Sequence, residues 1–310
     1  MYTIAKSVST MPKPEQTIPG GIFMNHNIVV NLGEQRFHKM IEEHKFYIDK
    51  TDFIREWWEY GATVTLITRP RRFGKTLMMN MMSNFFSIRK DSREIFEGLR
   101  ITKHKAFCEK WMNQCPVLFI SFKDVEAETF EGAYKMLQTR LADVCKEWES
   151  LYKEERVNAA DRKVFKELMF ETAKESDVRS SLKIIMRMMH AVYGRKVILL
   201  IDEYDVPLAK AHVNGYYDQM LSLIRSLLGE ALKTNNSSKF AVLTGCLRIS
   251  KVSIFTGLNN LKVLTVADER FDEYFGCTDK EVRELLEYYD VADHYEEVKR
   301  WYDGYQFGNE

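Results

Sequence analysis

Three consecutive residues, Gly74-Lys75-Thr76, have the types and order of a phosphate-binding loop. The glycine lets the backbone approach an anion, the lysine reaches the β- and γ-phosphates of a nucleotide, and the hydroxyl ligates Mg²⁺. The full pattern, G-x-x-x-x-G-K-[ST], places a glycine five positions before Gly74, and Arg69 stands there instead. An arginine stiffened by Pro70 does not readily take the φ > 0 conformations open to glycine, so the loop must turn differently at its start. Arg69, Arg71 and Arg72 put cationic charge along the loop. They are candidate phosphate contacts, together with Phe73, Gly74, Lys75, Thr76 and Leu77.

A working loop of this kind also needs a carboxylate at the end of another buried strand, on the metal side of the phosphates. Val197-Ile198-Leu199-Leu200-Ile201 runs into Asp202-Glu203, which is that arrangement. Asp202 is the candidate metal-side acid, paired with Thr76. Glu203 is the candidate catalytic residue that orients or deprotonates an attacking water. A third stretch, Phe240 to Thr244, ends on a hydroxyl that can sense a γ-phosphate, and Arg248 follows as a candidate for stabilising transition-state charge. Each stretch alone has an ordinary explanation, as an accidental tripeptide or as a strand capped by solvated acids. Their joint presence favours nucleotide chemistry.

These residues need strands and helices to hold them. Residues 62–68 (ATVTLIT) read as a buried strand running into the loop, and 76–88 as the helix after it, which is the context the motif requires. Further strands are expected at 116–122, 196–202, 239–245 and 261–266, separated by helices near 128–153, 176–193 and 217–233. This alternation implies an α/β fold with a mostly parallel sheet covered by helices on both faces. Upstream, residues 37–60 have helical spacing around Phe46-Tyr47-Ile48-Asp49-Lys50-Thr51, with Thr51 or Asp52 as the expected cap. Downstream, Thr278-Asp279-Lys280-Glu281 is a capping box, and the helical stretches that follow end near Asp303-Gly304. The organisation read from this is a polar lead-in over 1–21, a core over 22–267 and a small helical lid over 268–310.

The bulk numbers narrow the class of protein. In 310 residues, 45 basic and 45 acidic side chains cancel, so net charge does not support nucleic acid as a partner. Arg89-Lys90 and Arg100 to Lys105 read as solvated clusters. The five cysteines and seven histidines are scattered without ligand spacing, which fits reduced thiols and a cytoplasmic setting. No apolar run approaches membrane-spanning length. Met78, Met79, Met81 and Met82 read as core packing, and Trp57-Trp58 as a helix packed on that core.

Taken together, RPRRFGKT (69–76), FYIDKT (46–51), LLIDEYDVPL (199–208) and WYDGYQFG (301–308) resemble the bacterial AAA-ATPase-like family. Its phosphate loop is of the RPRRFGKT type, with arginine at the position of Arg69. The resemblance spans about residue 20 to the end. It implies a P-loop NTPase of the type with an additional strand and a catalytic glutamate, with a five-stranded sheet of order 5-1-4-3-2. It also implies ATP and Mg²⁺ as ligands. Lys75 and Thr76 match the family's phosphate and Mg²⁺ residues, Asp202 its metal acid, Glu203 its catalytic glutamate and Thr244 its sensor position. Tyr47, Asp49 and Lys50 match its N-terminal motif without an assigned role. Family members commonly continue into a PD-(D/E)XK nuclease-like domain; these residues offer no convincing D…E-x-K constellation, and no nuclease activity is expected of them.

Two readings of function remain open at this level. One is a Mg²⁺-dependent ATPase, slow in isolation, that acts as a switch or motor for a protein partner, a further copy of itself or a C-terminal effector. The other is a regulatory module that holds nucleotide without hydrolysing it. A pure binder has no need of Glu203, which favours the first. GTP use is disfavoured by the lack of an N-K-x-D pattern.

Overall fold

The structure, a computed structural model, describes residues 33–246, 254–255 and 258–302. Five strands, β1 (Val64–Thr68), β2 (Val117–Ser121), β3 (Val197–Asp202), β4 (Ser238–Gly245) and β5 (Leu261–Leu264), form one sheet in the order β2-β3-β4-β1-β5. Every pairing is parallel. Read from the other edge this is 5-1-4-3-2, the order the resemblance implies. The register aligns the strands' carboxyl ends: Thr68 faces Gly245, and Ser121 faces Asp202. Arg69 N–H donates to Gly245 O at 3.1 Å, so the β1–β4 ladder continues one residue into the loop.

In chain order the helices are α1 (Phe37–Glu42), α2 (Asp52–Tyr60), α3 (Lys75–Phe86), α4 (Arg93–Phe96), α5 (Lys105–Trp111), α6 (Phe130–Glu147), α7 (Ala159–Met169), α8 (Glu175–Tyr193), α9 (Val206–Asn214), α10 (Tyr217–Leu232), α11 (Asp279–Tyr288) and α12 (Tyr295–Tyr302). A parallel sheet is buried on both faces, and successive strand residues supply the two faces in turn. Leu199 and Ile201 join Leu66, Leu118 and Leu243 in one apolar cluster, covered by α6, α7, α8 and α10. Ile198 and Leu200 join Ile67 and Val242 in the other, covered by α2, α3 and the Phe271–Phe275 segment. The second cluster is aromatic. Trp57 is buried against Phe86 and Phe240, while half-buried Trp58 stacks on Phe86 with ring centroids 5.2 Å apart. Met78, Met79, Met81 and Met82 are all buried there.

Some local expectations change. Thr51 is the residue preceding α2, but its hydroxyl does not cap the helix. It donates to Asp49 Oδ1 at 2.6 Å and accepts the Ile101 N–H at 3.1 Å. The second Asp49 oxygen takes the Arg100 N–H at 2.7 Å, so Asp49 and Thr51 tie the start of α2 to the 3₁₀ turn Arg100–Lys103. The stretch expected as one helix over 128–153 is α6 followed by a 3₁₀ turn at Glu149–Lys153. Four helices, α4, α5, α7 and α9, occupy stretches where the sequence pattern predicted none. The capping box at Thr278 is present, with both reciprocal hydrogen bonds. The expected helix end at Asp303-Gly304 lies outside the described residues.

Candidate nucleotide site

The site is assembled where three strands end side by side and a helix begins. Gly74 precedes α3 in a left-handed conformation (φ 75°), and a Cβ there would meet nothing within 4 Å, so the space before the helix is open. The first helical hydrogen bond is Met78 N–H to Gly74 O, at 2.9 Å. The N–H groups of Lys75, Thr76 and Leu77 therefore lie ahead of the ladder, at the positive end of a 12-residue helix, where an anion is favoured. The turn that the missing glycine would have made occurs elsewhere: Arg72 (φ 71°) and Gly74 are the loop's left-handed residues, and Arg69 is not.

Lys75, only 6% exposed, donates to Arg69 O at 2.9 Å and Pro70 O at 2.7 Å, with the Cys246 sulfur 3.5 Å away. Asp202, 1% exposed at the end of β3, accepts two hydroxyls: Thr76 on Oδ2 at 2.7 Å and Thr244 on Oδ1. One buried carboxylate thus joins the phosphate loop, the acidic strand and the sensor strand. Glu203 follows in a left-handed turn (φ 55°), and Tyr204 N–H returns to Thr244 O at 3.0 Å. Burial first, and then Asp202, pushes the Glu203 carboxyl above the usual glutamate range, while Lys123 and Lys75 oppose the shift.

Not every candidate faces the loop's open side. Arg71 and Arg72 are exposed, as a phosphate contact requires. Arg69 is 1% exposed and turns inward. Its guanidinium donates to Thr68 O and Leu264 O, both at 3.2 Å, and lies over the Phe275 ring at 5.4 Å. Direct phosphate contact by Arg69 is therefore replaced by a contact with the segment after β5. The side chains of Phe73 and Leu77 pack on the aromatic cluster, which leaves their backbones as the groups available to phosphate. Arg248 lies outside the described residues.

The sequence reading missed three residues in this region, Gly245, Cys246 and Lys123. Cys246 N–H donates to Asp205 Oδ2 at 2.9 Å, and Asp205 also starts α9. Gly245 between them is needed for room: a Cβ there would lie 2.6 Å from Asp205 Oδ1 and 2.6 Å from the Tyr204 ring. Lys123, just beyond β2, is the foremost cation acting on Glu203. Only the strand ends themselves could have signalled these, because all three lie within three residues of one. Tyr47 and Lys50 also acquire partners. The Tyr47 hydroxyl takes the Lys50 N–H at 3.2 Å, and the Lys50 ammonium bonds Glu273 O and the Glu281 carboxylate.

Among the described residues no group of three or more His, Cys, Asp or Glu side chains is placed to hold a metal ion. The oxygen pair Thr76–Asp202 nevertheless suits Mg²⁺, which is held by one or two protein oxygens and otherwise by water and substrate phosphates. Among the described residues no helix is long and apolar enough to cross a membrane.

A parallel five-stranded sheet, a loop-to-helix anion cradle and an aligned hydroxyl–carboxylate pair define an α/β fold of the P-loop class. More narrowly, the chain belongs to the AAA-ATPase-like family ("Predicted AAA-ATPase"), whose model matches residues 31–255. A relative from Azotobacter chroococcum mcd 1, "Uncharacterized protein in vnfD 5'region", is 28% identical over 284 residues, or 90% of this chain. The aligned part is 49% of that relative, so the chain spans about half its length. No solved structure matches the chain.

Proposed function

We propose that the chain binds ATP with Mg²⁺ at the end of β1 and hydrolyses it, serving as a switch or motor module for a partner or an effector region. The observation that carries this reading is the single Asp202 carboxylate holding the hydroxyls of both Thr76 and Thr244, beside a buried Lys75. Thr76 and Asp202 would hold Mg²⁺ between them. When bound, the ion would supply positive charge against the phosphates.

Each residue then has a defined task. Lys75 exchanges two neutral carbonyl acceptors, Arg69 O and Pro70 O, for charged phosphate oxygens, and charge-assisted hydrogen bonds are roughly twice as strong as neutral ones. The leading N–H groups of α3 cradle the phosphates, and Arg71 and Arg72 sit on the exposed lip of the loop. Thr244 couples Asp202 to the third strand, and its hydroxyl would register a γ-phosphate. Glu203 holds the attacking water and accepts its proton. Its raised pKa brings it closer to the operating pH, which favours a general base. Turnover without a partner is slow, because P-loop switch ATPases draw much of their rate from an arginine supplied on activation. Residues 268–302 serve as the lid, and the cytoplasm is the setting that fits a soluble ATP-dependent module.

Calorimetric titration of Mg²⁺-ATP into the wild-type chain and Lys75→Ala, followed by hydrolysis assays on Glu203→Gln, tests the proposal. Wild type should bind, Lys75→Ala should not, and Glu203→Gln should bind normally while losing about 100-fold or more of its hydrolysis rate. Binding with no turnover above background in wild type, partner or not, would leave a nucleotide-holding regulatory module. A folded wild type that does not bind sinks the nucleotide reading.

A further inference from the structure

The loop's two departures from a small-residue pattern point to the same place. Arg69 sends its buried guanidinium to Leu264 O, the last residue of β5, and over the Phe275 ring. Phe73 lies against Gly276, where a Cβ would come within 2.8 Å of the Phe73 ring. Gly276 also has φ +82°, so both its conformation and its lack of a side chain are used. The segment between these anchors is itself held firmly. Asp268 Oδ2 accepts the Thr265 N–H and hydroxyl at 2.6 and 2.7 Å. Phe271, Tyr274 and Phe275 surround the Phe53 ring of α2 edge-on, with centroids 5.2, 5.5 and 5.7 Å away. Lys50 bonds the carbonyl of Glu273 and the carboxylate of Glu281, reaching from the FYIDKT motif to the first turn of α11.

We infer that Arg69 and Phe73 are positioning residues that fasten the phosphate loop to residues 264–276, so that this segment sets the loop's shape for phosphate. The inference rests on the nucleotide reading above and deepens it. In a glycine-rich loop the first turn holds its shape through backbone conformation alone. Here the first residue extends the β1–β4 ladder through its N–H, and its side chain closes the opposite side through Leu264 O. The guanidinium can do this because its planar fork bonds a carbonyl while its face rests on an aromatic ring, a combination that an ammonium does not reproduce. Nucleotide occupancy and the seating of the helices that follow are therefore linked through the loop's own side chains. The FYIDKT motif braces the same segment from its other side.

The consequence is counter-intuitive. Arg69→Gly, which restores the common loop pattern, weakens Mg²⁺-ATP binding by on the order of 10- to 100-fold, the size of a buried charge-assisted hydrogen bond. Arg69→Lys falls between that variant and wild type. Phe275→Leu, which removes the ring beneath the guanidinium together with its edge-on contact to Phe53, weakens binding by about 2- to 30-fold although it lies outside the Gly74–Thr76 cradle. Calorimetry on the full chain reads these affinities, and hydrogen exchange on the nucleotide-free chains reads the fastening directly. Amides of 264–276 should exchange faster in Arg69→Gly and Phe275→Leu than in wild type. Arg69→Gly binding as tightly as wild type, or exchange in 264–276 unchanged by either variant, overturns the inference. If Arg69→Gly does not fold, Phe275→Leu carries the same test. A wild type that binds no Mg²⁺-ATP removes the nucleotide reading and the phosphate half of this one with it, while the exchange comparison still decides whether the loop is fastened.

Discussion

The two ends of the sheet are built on opposite principles. At the carboxyl end, Thr68, Arg69, Lys75, Asp202, Asp205 and Thr244 are all buried, and their polar groups interlock across four strands and a loop. At the amino end, Thr63, Lys196, Ser238 and Asn260 sit at or just before the strand starts, around an open concavity of about 520 Å³. Its lysines, Lys196 and Lys239, are solvent-exposed. That hollow lies away from the buried Asp202 network, and the network is the better guide. Burying a polar group costs about 1–3 kcal/mol unless it is hydrogen-bonded, and burying a charge costs more. A chain that concentrates such groups at one end of its sheet has a use for them there. In open α/β sheets ligands bind beyond the strands' carboxyl ends, which is the same end.

The largest effect that would sharpen this contrast is expected at Gly245. Because its neighbours Asp205 and Tyr204 are both fully packed, a methyl group 2.6 Å from each cannot be absorbed by side-chain motion. Gly245→Ala should cost about 1–3 kcal/mol of stability by overpacking, and it should lower hydrolysis further by shifting the Glu203 turn. Denaturant unfolding measures the first and a steady-state assay the second. A variant as stable and active as wild type would show that the carboxyl end is looser than the distances imply.

How much of this end was legible in the sequence follows from how local each signal was. Gly74-Lys75-Thr76 and Asp202-Glu203 could be found because each is a short motif at the boundary of a strongly apolar strand, and the strand order followed from the resemblance. The interlock could not be read. Asp205, Gly245 and Cys246 meet only because β3 and β4 are neighbours, and no spacing along the chain encodes that. The same holds for Arg69, whose role depends on Leu264 and Phe275. Two of the overlooked helices did carry local signals. Asn158 caps α7 by accepting the Asp161 N–H at 2.8 Å, and Pro207 sits in the first turn of α9, where its fixed φ is an asset. Pro207 reads as a turn residue until the carboxylate before it is recognised as the start of a helix.

A subtler effect separates the charges at the carboxyl end from one another. On the proposed reading Glu203 acts as a base only when ionised, so hydrolysis should fall as the pH drops through its raised pKa. Lys123 opposes that rise. Removing its charge in Lys123→Met pushes the Glu203 pKa higher still, and less of the carboxylate is then ionised at a given acidic pH. The acid limb of the rate–pH profile should therefore move towards higher pH, with the two proteins converging at alkaline pH where Glu203 is ionised in both. A downward shift, or equal loss at every pH, would assign Lys123 a different task.

The smallest effect belongs to the amino end, and there the expectation is close to zero. Lys196 and Lys239 are exposed, and Lys239 adds a contact over the Trp58 and Phe240 rings at 5.7 and 5.0 Å. An exposed cation–π contact is worth about 0.5–1 kcal/mol at most, and other surface changes fall within about 0.5 kcal/mol. Lys196→Ala and Lys239→Ala should leave Mg²⁺-ATP affinity and turnover unchanged, with Lys239→Ala the slightly less stable of the two in denaturant unfolding. A marked loss of nucleotide binding from either substitution would break the comparison, because a solvated lysine one sheet-length from the Gly74–Thr76 cradle can influence it only by holding nucleotide itself or by reshaping the whole sheet. Unchanged unfolding in that variant would exclude the second route and leave a second anion site at the amino end.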